Sequence, residues 1–190
     1  MSDTLTREVS GATLPAAGTY AFDTAHTRVG FSVRHMMVAK VRGQFDAPTG
    51  TFVIADDPTQ SSVEVDIDWS SVSTGDPNRD AHLKSPDFFD VENHPTIHYR
   101  STSVRHVKGD KWVVDGELTS QQITKPVELE LEFNGAGLDP WGNEKVGFTA
   151  TTTINREDFG LTYNAILETG GVMVGKDINI EIDVEAKKEA

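Results

Sequence analysis

The chain contains no cysteine, so it has no disulfide bonds, no thiolate nucleophile and no cysteine-based metal site. Basic residues are also scarce, because 17 Lys and Arg stand against 30 Asp and Glu, which gives a formal net charge of −13. A chain of this charge is repelled by nucleic-acid phosphates and by anionic lipid head groups. We therefore expect no nucleic-acid partner and no stable membrane insertion.

Long apolar runs are missing too, and no segment approaches the roughly 20 residues that a membrane-spanning helix needs. The first 18 residues, MSDTLTREVSGATLPAAG, lack both the basic start and the apolar core of a signal peptide. Together with the absence of cysteine, this favours a cytoplasmic location. We expect residues 1–18 to form a flexible arm and residues 19–187 to form a single domain.

Most of the remaining sequence alternates between apolar and polar residues with a period of two. The alternation is strict in SVEVDIDWS (62–70), VELELEF (127–133) and INIEIDVE (178–185). Each such strand has one apolar face and one solvated face, which is typical of antiparallel sheets. About eight or nine strands of this kind must bury their apolar faces on one another. The pattern therefore predicts an all-β sandwich or barrel.

One stretch interrupts the strand pattern, DPNRDAHLKSPDFFDVENHPTIH at residues 76–98. Asp76 is a candidate N-cap and Pro77 suits the first helical position, so we predict a short helical excursion over about 77–89. The same stretch holds His82, His94 and His98, which raises the alternative of a metal-assisted hydrolase. No HExxH or comparable ligand spacing supports that alternative, and a capped helix with hydrogen-bonded polar residues accounts for the same residues.

The apolar face of the strands has two possible uses, because barrels of about eight strands are either filled by side chains or hold one small ligand. The pattern alone leaves both possibilities open. A barrel with a cavity would be a ligand-binding protein, and a filled barrel would be an interaction module. If there is a cavity, the aromatic residues of the turns are expected to close its ends and two histidines to contact a polar head group. The candidate ligand-binding residues are Phe31, Val33, Trp69, Tyr99, Leu118, Leu131, Phe148 and Ile154 for the wall, Phe88, Phe89 and Phe159 for the ends, and His26 and His35 for the head group.

Four segments, in this order along the chain, carry a resemblance to a known family. They are FDTAHTRVGFSVRH (22–35), NRDAHLKSPDFFDVENHPTIHYRST (78–102), TKPV (124–127) and FTATTTINREDFGL (148–161). Together they resemble the YceI-like family of bacterial lipocalin-like proteins. The resemblance implies an extended eight-stranded antiparallel barrel around an elongated apolar channel, often as a homodimer.

The resemblance also implies a function. Proteins of that family are associated with binding polyisoprenoids, isoprenoid quinones and similar long-chain lipids. We therefore expect a non-enzymatic protein that binds, stores or transports a hydrophobic ligand, with no catalytic residues, no metal and no cofactor other than the bound lipid.

Overall fold

The computed structural model describes residues 5–168 and 170–189, which form an all-β structure with one α-helix, α1 (Pro77–Lys84). Short 3-10 turns lie at Pro58–Gln60, Trp69–Ser71 and Arg156–Phe159. The strands are β1 (Thr6–Val9), β2 (Ala12–Pro15), β3 (Gly18–Phe22), β4 (Arg28–His35), β5 (Ala39–Phe45), β6 (Thr49–Ile54), β7 (Ser62–Asp68), β8 (Thr96–Lys108), β9 (Lys111–Ser120), β10 (Ile123–Leu138), β11 (Glu144–Asn155) and β12 (Val174–Lys188).

The main sheet closes on itself. Its strand order is β11-β10-β9-β8-β7-β6-β3-β12, and β12 pairs back onto β11, so eight antiparallel strands form a barrel. Strand β4 continues the line of β3 along β12 after an interruption, and β5 pairs with β4 in the same way that β6 pairs with β3. The predicted eight-stranded antiparallel barrel is therefore confirmed.

The alternating pattern of the sequence becomes the inside and outside of this barrel. On β12, the side chains of Ile178, Ile180 and Ile182 are partly buried, whereas the residues between them, such as Glu181 and Asp183, are exposed. A strand places successive side chains on opposite faces, so every second residue points inward. Among the described residues, no helix has the length and apolar composition needed to cross a bilayer.

The N-terminal segment differs from the expected flexible arm. Strands β1 and β2 form a hairpin whose residues Ala12 and Leu14 are buried against Trp112 at one end of the barrel. The Arg7 guanidinium donates hydrogen bonds to the carbonyl oxygens of Ala55 and Asp56, the latter at 2.7 Å. The structure differs from the expectation for residues 6–15, because three buried residues, Ala12, Leu14 and Pro15, and three hydrogen bonds from Arg7 anchor the hairpin on the barrel. Residues 1–4 of the predicted arm lie outside the described residues.

Helix α1 begins as the sequence predicts, since the Asp76 side chain accepts hydrogen bonds from the backbone N–H groups of Asn78 and Arg79. It ends at Lys84, and the turns at residues 86–89 complete the excursion predicted over about 77–89. The following turn carries Phe89, whose carbonyl oxygen accepts a 2.7 Å hydrogen bond from the Gln121 side chain. This bond ties the helical excursion to the β9–β10 turn at the other end of the barrel from the N-terminal hairpin.

Candidate ligand-binding site

The interior of the barrel contains two apolar chambers. The upper chamber, about 150 Å³, lies below the N-terminal hairpin and is lined by Leu14, Trp112 and Phe148 among others. The lower chamber, about 190 Å³, lies above α1 and is lined by Leu83, Phe89 and residues of β4 and β12. Six residues line both chambers and so mark the waist between them: Val29, Val65, Ile67, Tyr99, Leu129 and Ile182.

The two chambers together form an elongated channel. On β12, Val174 lines the lower chamber and Val184 the upper one. Ten residues of strand rise about 33 Å, and a strand tilt of 35–45° reduces this to roughly 25 Å along the barrel axis. The combined volume reaches only the lower end of the range of about 300–1,000 Å³ that is typical of ligand pockets. The site is therefore long and narrow, a shape that suits an extended chain.

Most of the predicted site residues line this channel. Leu131 and Phe148 line the upper chamber, and Tyr99 lines both chambers. The aromatic residues that were expected to close an end line the lower chamber. One of them, Phe89, stacks on Trp69 with 3.8 Å between the ring centroids. The predicted residues that line the lower chamber are Phe31, Val33, Trp69, Phe88, Phe89, Tyr99, Leu118, Ile154 and Phe159.

The two histidines proposed for a head group are placed elsewhere, because neither His26 nor His35 lines either chamber. His35 lies at the end of β4, opposite Val174. The His26 side chain is 64% exposed and its Nδ1 lies 3.1 Å from Asp23 Oδ2. His26 lies within the interruption between β3 and β4, at residues 23–27, where its side chain is on the outer surface and away from the channel.

An ion-pair cluster surrounds His26 on that outer surface. The Lys145 ammonium contacts carboxylate oxygens of both Asp23 and Glu185, the latter at 3.0 Å. Chiefly because of the hydrogen bond from Lys145, the pKa of Asp23 falls from 3.8 to about 2. Asp23, His26 and Glu185 are the one group with metal-ligand spacing within 5–168 and 170–189, but the Lys145 ammonium already occupies the space between the two carboxylates.

This cluster predicts a pH-dependent contribution to stability. Because the pKa of Asp23 is lower in the folded protein than the value of 3.8 in the unfolded chain, its ionised carboxylate stabilises the fold above pH 3.8. This contribution disappears as the pH falls through about 2. At pH 7 we expect Asp23→Asn to lower the free energy of unfolding by about 1–2 kcal/mol. Urea unfolding at several pH values should show the difference from the unmodified protein shrinking below pH 4, whereas the exposed Asp110→Asn control should show little difference at any pH. A difference that persists undiminished at pH 2 would contradict the assignment.

The histidines of the hydrolase alternative have separate partners. His82 Nε2 lies 2.8 Å from Asp87 Oδ2, and His98 Nδ1 lies 2.8 Å from Asp66 Oδ1. His94 is not part of any group with metal-ligand spacing in the part of the chain that the structure describes. The His82–Asp87 pair joins α1 to the turn that follows it, and the His98–Asp66 pair joins β8 to β7.

Two polar residues of the lower chamber were missed by the sequence analysis, Arg156 and Ser120. Arg156 is only 4% exposed, and its guanidinium donates hydrogen bonds to the carbonyl oxygens of Gly175 (2.8 Å), Leu161 and Val174. Burial lowers its pKa, yet an arginine remains charged in proteins. No carboxylate among the described residues forms an ion pair with it, so the lower chamber has one buried positive charge.

Three buried polar atoms of the channel have no hydrogen-bond partner within the described protein. They are Trp69 Nε1 and Ser120 Oγ in the lower chamber and Trp112 Nε1 in the upper chamber. Buried polar groups are normally paired, so these three atoms are exceptions among the residues that line the chambers. In contrast, the Tyr99 hydroxyl donates to the carbonyl oxygens of Val114 and Val127, and burial raises its pKa.

Comparison with known proteins identifies the family. A model of the YceI-like domain matches residues 20–186. The chain belongs to the YceI-like family. A UPF0312 protein of Staphylococcus aureus (strain N315) is 38% identical over 172 residues, which cover 87% of this chain and 95% of the relative. The match leaves the N-terminal hairpin outside the residues that define the YceI-like domain.

Solved structures share the fold. The YCEI protein of Campylobacter jejuni superimposes with a TM-score of 0.69 at 30% identity, covering 90% of this chain and 98% of that one. BcnA of Burkholderia cenocepacia gives a TM-score of 0.75 at 20% identity over 86% and 98% of the two chains. A polyisoprenoid-binding domain from Saccharophagus degradans gives 0.68 at 13% identity over 90% and 98%. The barrel fold is therefore common to all three.

Proposed function

We propose that this YceI-like protein binds one long-chain isoprenoid lipid, such as a polyisoprenoid or an isoprenoid quinone, along its two chambers and catalyses no reaction on it. The observation that carries the proposal is that two mostly apolar chambers lie end to end between Val174 and Val184 and share six lining residues at the waist. One neighbour of the same fold is a polyisoprenoid-binding domain, which supports the same ligand class here. In this proposal the protein stores or carries the lipid.

The energetics of burial favour a chain of several isoprene units. Burying one CH₂ group contributes about 0.8 kcal/mol, so one five-carbon unit contributes roughly 3–4 kcal/mol before costs. Association itself costs about 4–15 kcal/mol in lost freedom. Several buried units are then enough for micromolar affinity without a charged contact. A narrow channel of roughly 25 Å holds such units end to end.

The composition of the lining argues for binding rather than catalysis. No Asp, Glu, His or Lys among the described residues lines either chamber. General acid–base catalysis needs such groups within hydrogen-bond reach of the reacting atoms. The one charged group, Arg156, is held by backbone carbonyl oxygens and stays protonated near neutral pH.

The polar end of the ligand is best placed in the lower chamber. Trp69 Nε1 can only donate a hydrogen bond, and the Ser120 hydroxyl can also donate, so both suit an acceptor such as a quinone carbonyl or an alcohol oxygen. The positive charge of Arg156 in the same chamber favours an electron-rich group further. We therefore propose that the head group lies beside Trp69 and Ser120 while the chain extends through the waist.

A comparison of two ligands tests this placement. We expect the protein to bind an isoprenoid quinone and also squalene, a hydrocarbon of isoprene units without a head group. Trp69→Phe combined with Ser120→Ala should weaken quinone binding about tenfold, because two hydrogen bonds worth about 0.5–1.5 kcal/mol each are lost. Squalene binding should not change. Equilibrium binding of radiolabelled ligands measures both affinities.

Trp112→Phe is the matched control, because its indole N–H is also buried and unpartnered but lies in the upper chamber. It should leave quinone binding unchanged. If Trp112→Phe lowers quinone affinity and the lower-chamber variant does not, the head group lies at the other end. If neither ligand binds the unmodified protein, the barrel is filled and the lipid-binding proposal fails.

A further inference from the structure

The average charge of the chain conceals one basic segment. From Arg28 to Phe45, the β4–β5 hairpin contains four Lys and Arg and no Asp or Glu, in a chain of net charge −13. Its exposed residues Arg34 and Lys40 face each other directly in the strand register. Like charges in that arrangement destabilise a strand pair.

The fold makes no use of these charges. None of Arg34, Lys40 and Arg42 forms an ion pair with a carboxylate of residues 5–168 or 170–189. By contrast, Lys176 on the neighbouring strand β12 is paired with Glu157 at 2.8 Å. The hairpin therefore presents a positive surface that is available to an anionic partner.

The turn of the same hairpin exposes three apolar side chains. Met36, Met37 and Val38 are 45%, 65% and 81% exposed. Met36 and Met37 also have positive φ values of 50° and 62°, a region that glycine or asparagine adopts at lower cost. Methionine at positive φ costs backbone strain, and these exposed side chains gain little burial in return. This combination points to a role outside the fold.

The turn lies at the rim of the lower chamber. The Met36 N–H donates a 2.7 Å hydrogen bond to the carbonyl oxygen of Met173, next to Val174. Val174 and Val33 both line the lower chamber. Ile166, which is 88% exposed, extends the apolar surface on the loop that the turn contacts. We call Met36–Val38 and Ile166 the apolar tip.

A second exposed apolar site provides a contrast. Leu138 and Trp141, in the β10–β11 connection, are 63% and 84% exposed. Their neighbours in the sequence include Asp139 and Glu144, and the nearby Lys145 is already ion-paired with two carboxylates. Charge therefore separates these two sites, because the apolar tip adjoins basic residues without ion-pair partners, whereas Leu138 and Trp141 adjoin carboxylates.

We propose that the β4–β5 hairpin docks the protein on an anionic phospholipid bilayer. The apolar tip enters the head-group region, and Arg34, Lys40 and Arg42 contact lipid phosphates. Electrostatic forces at physiological salt decay over roughly 8 Å, so charges close to the tip dominate the docking. Arg42 shares a surface groove with four carboxylate residues, so Arg34 and Lys40 beside the turn supply most of the attraction. This inference rests on the proposed function, since docking places the rim of the lower chamber where a membrane lipid can enter or leave.

Sedimentation of the full chain with lipid vesicles tests the docking. We expect the protein to bind vesicles of phosphatidylcholine with phosphatidylglycerol at least several-fold more tightly than vesicles of phosphatidylcholine alone, and the difference to shrink as salt is raised. Lys40→Glu with Arg42→Glu, and separately Met37→Ser with Val38→Ser, should each lower binding to the anionic vesicles about tenfold. Trp141→Ser, at the acidic site, should bind as the unmodified protein does.

Absence of vesicle binding, equal binding to both vesicle types, or loss of binding in Trp141→Ser alone would overturn the proposal. Ligand loading from detergent solution separates it from the proposed function. Because the hairpin variants leave the chambers intact, they should load a radiolabelled quinone as the unmodified protein does. A protein that docks on anionic vesicles but loads no quinone retains the docking site and refutes lipid storage, and the reverse result refutes docking alone.

Discussion

Replacing Leu129 with tryptophan is expected to reduce ligand binding about 10²–10³-fold. Leu129 lies at the waist and lines both chambers, so a larger side chain there separates them. A ligand confined to one chamber buries at least one isoprene unit less, which costs roughly 3–4 kcal/mol, and each 1.4 kcal/mol is about tenfold in affinity. The measurement is equilibrium binding of a radiolabelled isoprenoid quinone, with thermal unfolding to show that the variant is folded.

The neighbouring residue supplies a matched control. Glu130 is exposed and points outward on the same strand, so Glu130→Trp adds the same side chain without entering the channel. It should bind the quinone as the unmodified protein does. Full affinity in Leu129→Trp would show that the ligand does not pass through the waist, and equal loss in both variants would indicate a general effect of the substitution.

Arg156→Met is expected to lower the free energy of unfolding by about 3–5 kcal/mol, because two buried hydrogen bonds from a charged donor, worth about 1.5–3 kcal/mol each, are lost. The carbonyl oxygens of Leu161 and Gly175 lose that donor, while Val174 keeps a 2.7 Å hydrogen bond from Asn164. For a chain of this length the melting temperature should fall by roughly 10 °C.

Two control variants isolate the role of the guanidinium. Arg156→Lys keeps the charge but offers one donor group in place of a planar fork, so it should restore only part of the stability. Arg100→Met removes an exposed arginine from β8 and should change the melting temperature by at most a degree or two. An Arg156→Met protein as stable as the unmodified one would show that these hydrogen bonds do not hold the loop after the 3-10 turn.

The barrel was predictable because its strands have one buried and one solvated face. The strict alternation in β7, the middle of β10 and most of β12 specifies antiparallel strands with one apolar side. Closure between β11 and β12 follows from the need to bury every such side. The N-terminal hairpin was missed because its buried residues, Ala12, Leu14 and Pro15, are too few for a periodic signal. Its docking depends on Arg7 reaching carbonyl oxygens nearly 50 residues away.

The apolar part of the candidate site was predictable for the same reason. Inward residues such as Phe31, Tyr99 and Leu131 follow from strand alternation, and the structure places them along the channel. The polar part was not predictable, because the histidine candidates, His26 and His35, line neither chamber. Arg156 lies in the segment FTATTTINREDFGL (148–161), but its burial depends on how the loop with Leu161 and Gly175 folds around it. The homodimer and the cytoplasmic location stay predictions.

The most direct test of the central claim is mass spectrometry of an organic extract from protein purified under native conditions. A lipid that fills both chambers should remain bound during purification, because several buried isoprene units give slow release as well as affinity. We predict one isoprenoid or other long-chain lipid in nearly equimolar amount. Extraction of Leu129→Trp, purified in parallel, should yield far less of it. An empty extract from the unmodified protein, together with no uptake of quinones or fluorescent lipids in solution, would contradict the account.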